Sequence, residues 1–135
     1  MSFELQAHTA DIAVEATGNT LAETFEAVAA GLSAAHCDRI PEDGDRFSIT
    51  VDSESEEALL FDYLDELIYQ RDVKGALPVD HLVSIERDGK LRLNASARGV
   101  PLSGIDAREI KAVTYSEMAL ERTPAGWRAR VVFDV

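Results

Sequence analysis

The sequence predicts an α+β fold, a two-layer sandwich of a mixed or antiparallel sheet with two amphipathic helices on one face. Two segments carry apolar residues at helical spacing. The remaining ordered segments are alternating or rich in β-branched residues, and turn residues separate them. Because each helix is apolar on one side only, a single sheet face is expected to cover both. The other sheet face is then left to solvent or to a binding partner.

The first half of the chain predicts the order β-β-α-β. Short strands are expected at 3–5 and 12–16, and Gly18-Asn19 then marks a turn. Thr20 and Glu23 form a capping-box pattern, which predicts a helix that ends near 35–36. Its apolar stripe consists of Leu21, Phe25, Val28 and Leu32. After a loop at 38–46, the alternation over 47–51 predicts a half-buried strand.

The second half predicts a helix followed by four strands. Ser53 and Glu56 resemble a second capping box, before a helix at about 55–69. Its expected buried stripe consists of Leu60, Tyr63, Leu64, Leu67 and Ile68. A loop with Gly75 and Pro78 follows, and Asp88-Gly89 between the strands 82–87 and 90–97 is a strong hairpin signal. A turn-rich connection at 99–108 leads to strands that begin near 110 and 127.

Length and composition favour a single domain over residues 1–135. The 135 residues suffice for one core, 46% of them are hydrophobic, and no linker or repeat divides them. We expect no membrane segment and no secretory signal, because the sequence shows no long apolar run and no basic, apolar leader. The lone Cys37 is expected to be a small buried side chain. These features indicate a cytoplasmic protein.

The chain is strongly acidic. Its formal net charge is −12, from 25 acidic and 13 basic residues. Such a surface repels phosphate backbones and argues against tight nucleic-acid binding by the chain alone. The acidity and the few lysines also suit a protein that works in high salt, as in a halophilic archaeon. The competing interpretation is an ordinary acidic protein, and a melting temperature that does not respond to salt would favour it.

Asp11, Asp134 and Val135 suggest a site for a hard cation. The last predicted strand reaches the end of the sequence, so it brings the Asp134 carboxylate beside the α-carboxylate of Val135. Asp11 would add an oxygen if the N-terminal strand lies nearby. Carboxylate oxygens are the ligands that calcium, magnesium and manganese prefer. The competing interpretation of Asp11 is an ordinary turn aspartate. For His8, the two interpretations are that it binds the metal or that it orients a neighbour.

Four blocks of this sequence resemble the archease family. They read HTADIAVEATGNTLAETFEAVAAGL at 8–32, EALLFDYLDELIY at 57–69, EIKAVTYSEM at 109–118 and VVFDV at 131–135. The resemblance implies a non-catalytic partner of the GTP-dependent 3′-phosphate RNA ligase that splices tRNA. This accessory protein would promote ligase guanylylation and multiple turnover. The resemblance also implies that Asp11 and Asp134 contribute to a divalent-metal site.

The resemblance further implies that Lys111 contacts the ligase or its nucleotide phosphates. The competing interpretation is a strand lysine whose aliphatic stem covers apolar surface. His8 and Glu117 are further candidate partner contacts. Ser116 departs from the family pattern, in which a histidine often stands at this position before the acidic residue. The segment before Glu109 also lacks a histidine that members of the family often have. If either histidine helps to bind metal in those relatives, this chain must bind it with oxygen ligands alone.

Two other functions remain open at this stage. One is a small metal-dependent phosphoester hydrolase that uses His8, Asp11 and Asp134 directly. The other is a general chaperone or modulator of RNA-processing enzymes. The sequence contains no P-loop, no GxSxG motif and no paired cysteines, and so no self-sufficient catalytic constellation is visible.

Overall fold

A computed structural model describes residues 2–7 and 11–135. Its helices and strands follow the predicted order β-β-α-β-α-β-β-β-β. The strands are β1 (Ser2–Ala7), β2 (Asp11–Gly18), β3 (Asp45–Ser53), β4 (Ala76–Asp88), β5 (Lys90–Pro101), β6 (Ala112–Thr123) and β7 (Gly126–Asp134). The helices are α1 (Leu21–His36), α2 (Glu56–Lys74) and a short 3-10 turn, η1 (Leu102–Gly104).

The strands form two antiparallel sheets instead of the one sheet expected. Sheet A has the order β1-β2-β7-β6, and sheet B has the order β3-β5-β4. Every strand pair is antiparallel. The main core draws side chains from both helices and both sheets, so two sheets together enclose the apolar stripes that one sheet face was expected to cover. The α+β class is confirmed.

Both helices are capped, and one cap differs from the prediction. The Thr20 hydroxyl accepts a hydrogen bond from the Glu23 N–H at 3.1 Å, as the capping-box pattern predicted. For α2 the cap is Ser55, whose hydroxyl accepts from the Ala58 N–H at 3.2 Å. The prediction of Ser53 as the cap was wrong, because its hydroxyl donates to Asp62 at 2.8 Å instead.

The second helix is longer than predicted. It continues to Lys74 and ends at Gly75, whose φ of 63° is left-handed and therefore suits a residue without a Cβ. The predicted stripe of α2 is buried, and Arg71 continues it with only 6% exposure. The segment after Gly75, expected as a loop, is the first part of β4. Pro78 is tolerated there because β4 is an edge strand of sheet B.

Two irregular positions interrupt the edge strands. The register between β4 and β5 shifts between Val79 and Leu82, where Asp80 has a φ of 52°. The register between β6 and β7 shifts between Thr114 and Ala119, where Glu117 has a φ of 57°. The first shift is a β-bulge with two residues of β4 opposite one of β5, and the second is wider, with four residues of β6 opposite one of β7. Such irregularities redirect side chains locally. None of the helices in the described part of the chain is both long and apolar enough to cross a membrane.

Candidate metal and partner site

Asp11 and Asp134 meet at one end of sheet A. Asp11 is the first residue of β2, Asp134 is the last residue of β7, and the register pairs them directly. Because side chains alternate along a strand, both project from the same sheet face. This face lies opposite the core, since the next pair, Ile12 and Phe133, is buried in the core. Carboxylates placed opposite one another in this way stand about 5 Å apart at Cβ.

Asp11 is half-buried at this corner. Its Oδ1 is buried and has no hydrogen-bond partner among the residues that the structure describes. A buried carboxylate oxygen without a partner is unfavourable, because it loses its water and gains nothing in return. Asp134 is exposed, so it keeps its own hydration. A cation between the two carboxylates would satisfy the buried oxygen and remove the repulsion between like charges.

Lys111 belongs to the same corner through its backbone. Its N–H donates to the Asp134 carbonyl oxygen at 2.8 Å, and the following residue, Ala112, pairs with Asp134 in the register of β6 and β7. The Lys111 side chain is exposed and forms no ion pair within the described ranges. The Val135 side chain packs against the core. The backbone of Lys111 therefore lies at the corner, and its ammonium group is exposed.

The other sequence-predicted residues lie elsewhere or outside the description. His8 falls outside the described residues. Glu117 sits at the bulge of β6, where its carboxylate lies 3.7 Å from Arg130, which also pairs with Glu15 at 3.1 Å. Arg130 precedes Asp134 by four residues of strand, which corresponds to about 13 Å. The structure therefore brings Asp11, Asp134 and the backbone of Lys111 together, and it places Glu117 farther along the outer face of sheet A.

No group of three or more His, Cys, Asp or Glu side chains that could hold a metal ion occurs in the described ranges. Within these ranges the corner supplies two such side chains, Asp11 and Asp134, so a bound ion would need further ligands. Magnesium binds in this manner, through one or two carboxylates together with substrate phosphates. Cys37 is buried, as predicted, and its thiol donates to the Arg39 carbonyl at 3.0 Å.

Sequence reasoning missed a buried polar cluster beneath this corner. His36 and Arg71 are 3% and 6% exposed, and their ring and guanidinium nitrogens lie 2.8 Å apart. A signal for Arg71 was available, because it follows Leu67 by four positions and Ile68 by three, and so falls on the apolar stripe of α2. Position 36 was expected only as the end of the first helix.

The chain is similar to known proteins over almost its whole length. Residues 3–135 match the model of the archease protein family. The archease of Pyrococcus furiosus is 40% identical over 95% of this chain and 94% of its own length. The archease of Methanosarcina acetivorans is 37% identical over 98% of this chain and 95% of its own.

Two solved structures share the fold. The solution structure of protein 1598 of Methanobacterium thermoautotrophicum superposes with a TM-score of 0.86 and 31% identity, and it covers 98% of each chain. The crystal structure of a Thermotoga maritima protein, described as an archease and possible chaperone, gives a TM-score of 0.66 and 28% identity over 96% of this chain and 94% of its own. The chain belongs to the archease family.

Proposed function

We propose that this chain is an accessory protein of the GTP-dependent, tRNA-splicing 3′-phosphate RNA ligase, and that it promotes guanylylation and multiple turnover of that enzyme. The observation that carries the proposal is the register that places Asp11 opposite Asp134, with a buried carboxylate oxygen that has no partner among the described residues. Family membership supports the choice of partner, since the four blocks of the resemblance supply Asp11, Lys111 and Asp134.

In this proposal the corner holds a calcium, magnesium or manganese ion. Asp11 and Asp134 are the side-chain ligands, and the carboxylate of Val135 adds an oxygen. When bound, the ion supplies positive charge that stabilises negative charge on phosphate oxygens. The ligands that the described residues supply would leave coordination positions open, which suits a site that the nucleotide of the partner completes. Lys111, whose backbone lies at this corner and whose side chain is exposed, would contribute a second positive charge toward the same phosphates.

The proposed docking face is the end of sheet A around this corner. Glu117 is exposed on the same outer face and is a further candidate contact, as is His8. An acidic helper suits a ligase that must present a basic surface to RNA. Opposite charges on the two proteins raise their association rate, and salt weakens the attraction between them. The interface would be weak and transient, which allows the helper to leave before RNA returns.

The test is a ligation assay with the cognate ligase, GTP and manganese, run with and without this protein. Stimulation should appear with wild type and with Asp45→Asn, which removes an exposed carboxylate from sheet B. It should vanish with Asp11→Asn and Asp134→Asn. Ligase that turns over equally well with every variant would refute the proposal. If the helper alone releases phosphate when it is incubated with phosphoesters and divalent ions, it is a hydrolase instead.

A further inference from the structure

The peptide bond between Ile110 and Lys111 is held at both of its polar groups. The Ile110 carbonyl accepts a hydrogen bond from Nη1 of Arg71 at 2.7 Å. The Lys111 N–H donates to the Asp134 carbonyl at 2.8 Å. Because a peptide unit is planar, fixing its carbonyl and its N–H fixes the orientation of the whole plane. Arg71 and Asp134 together therefore hold the peptide plane that leads into Lys111, and the Lys111 Cα lies in that plane.

Arg71 is itself held in one orientation. Its Nε and Nη2 both donate to Oδ1 of Asp72, at 3.0 and 2.8 Å. Nη1 divides its two hydrogens between the Ile110 carbonyl and Nε2 of His36, which lies 2.8 Å away. The planar guanidinium thus has bonds in three directions, and it cannot turn without breaking them.

His36 completes the arrangement as an acceptor. Arginine cannot accept a hydrogen bond, so Nε2 of His36 must be unprotonated, and Nδ1 carries the hydrogen and donates to the Leu32 carbonyl at 2.9 Å. Burial, with a smaller contribution from the Arg71 charge, lowers the pKa of His36 to about 4, which keeps the ring neutral. The His36 carbonyl also accepts from the Arg108 N–H at 2.6 Å.

The C-terminal ends of both helices therefore converge on the segment that leads into Lys111. His36 is the last residue of α1, and Arg71 lies in the last turn of α2. A buried charge is unfavourable unless it is well paired, and an apolar residue would fill the same stripe position without that penalty. What the guanidinium adds is a bond from helix α2 to the backbone just before Lys111.

We infer that Arg71 and His36 are positioning residues that hold the backbone of Lys111 against Asp134, at the end of sheet A where Asp134 faces Asp11. The inference rests on the proposed function, because it assigns these residues a part in ligase stimulation. It also makes a claim about the backbone that is testable without the ligase.

The first experiment measures amide hydrogen exchange by NMR. Arg71→Met and His36→Leu should speed exchange of the Lys111 amide by about tenfold or more, while the Val131 amide in the centre of β7 changes little. His36→Gln should remain close to wild type, because its side-chain carbonyl can accept from Arg71. Arg92→Met, which removes an exposed arginine from sheet B, is the matched control. Equal acceleration at Lys111 and Val131 would overturn the inference, as would no acceleration in either variant.

The second experiment measures ligase stimulation as a double-mutant cycle. Arg71→Met should lower the maximal stimulation, and His36→Gln should retain it. Combined with Lys111→Ala, Arg71→Met should cause no further loss, because both act through Lys111. A further loss in the double variant would overturn the positioning role. Full stimulation by Lys111→Ala alone would instead contradict the proposed role of Lys111, while the exchange result would still stand.

Discussion

Removing one of the two facing carboxylates should change the stability of the chain in opposite directions with and without a divalent cation. Two unit charges about 5 Å apart repel by about 0.8 kcal/mol in water and about 3 kcal/mol at an effective dielectric constant near 20. Because Asp134 is exposed, the lower end of this range applies, about 1 kcal/mol. In chelator, Asp134→Asn should therefore raise the free energy of unfolding by about that amount, or the melting temperature by about 3 °C.

A bound cation reverses the sign. At a concentration about one hundred times its dissociation constant, the ion stabilises the wild type by about 2.7 kcal/mol. Asp134→Asn should lose most of this gain, so it becomes the less stable protein once calcium, magnesium or manganese is present. Urea unfolding followed by circular dichroism, with chelator and with each ion, measures both effects.

Two controls make the result specific. Asp45→Asn should respond to the ions as wild type does, because it lies in sheet B. The stabilisation of Asp134→Asn in chelator should shrink with added sodium chloride, since salt screens an exposed pair. If Asp134→Asn is destabilised in chelator, the argument from charge repulsion is wrong. If wild type and variant gain equally from the ion, Asp134 is not a ligand.

The remaining predictions concern other groups. A tag fused after Val135 should weaken the metal affinity measured by calorimetry. Equal affinity for tagged and untagged protein would exclude the Val135 carboxylate as a ligand. Tyr63→Phe should be neutral or stabilise by about 1 kcal/mol, because the Tyr63 hydroxyl is buried without a partner among the described residues; a large fall in the urea midpoint would reveal a partner. Stability should fall as the pH drops from 6.5 toward 4, because burial lowers the pKa of His36 to about 4 and the unfolded chain is protonated first. His36→Gln should lose less between pH 7 and pH 5, and equal losses would contradict this. Excess RNA should compete with the helper for the ligase, whereas RNA binding by this acidic chain alone at physiological salt would argue against the docking proposal.

Periodicity and capping made the element order predictable from the sequence. Apolar spacing located both helices, and Asp88-Gly89 located the hairpin of β4 and β5, since these signals act within a few residues. The division into two sheets was not predictable, because strand partners are chosen by packing across the whole core. The end of α2 was missed because 70–74 are mostly polar, and helix continuation there depends on the left-handed Gly75 cap and on Arg71.

The proximity of Asp11 and Asp134 could be predicted from the sequence, whereas the contacts that hold Lys111 could not. Asp11 and Asp134 were expected to approach one another, and the register places them opposite each other. The anchoring of Lys111 was not predictable, because it depends on a carbonyl of Ile110 that meets a guanidinium from another helix. Backbone groups carry no sequence signal, so such a contact is visible only in the folded chain.

The pairing of β2 with β7 also determines when during synthesis the corner can exist. Asp11 emerges from the ribosome long before its partner Asp134, because the two residues are far apart along the chain. Contacts between such distant residues close a large loop and tend to form late in folding. A nascent or prematurely terminated chain that lacks β7 would therefore lack the carboxylate pair altogether. Only a completed and folded chain would present the corner to a partner, so truncated copies should not compete with the intact protein through this site.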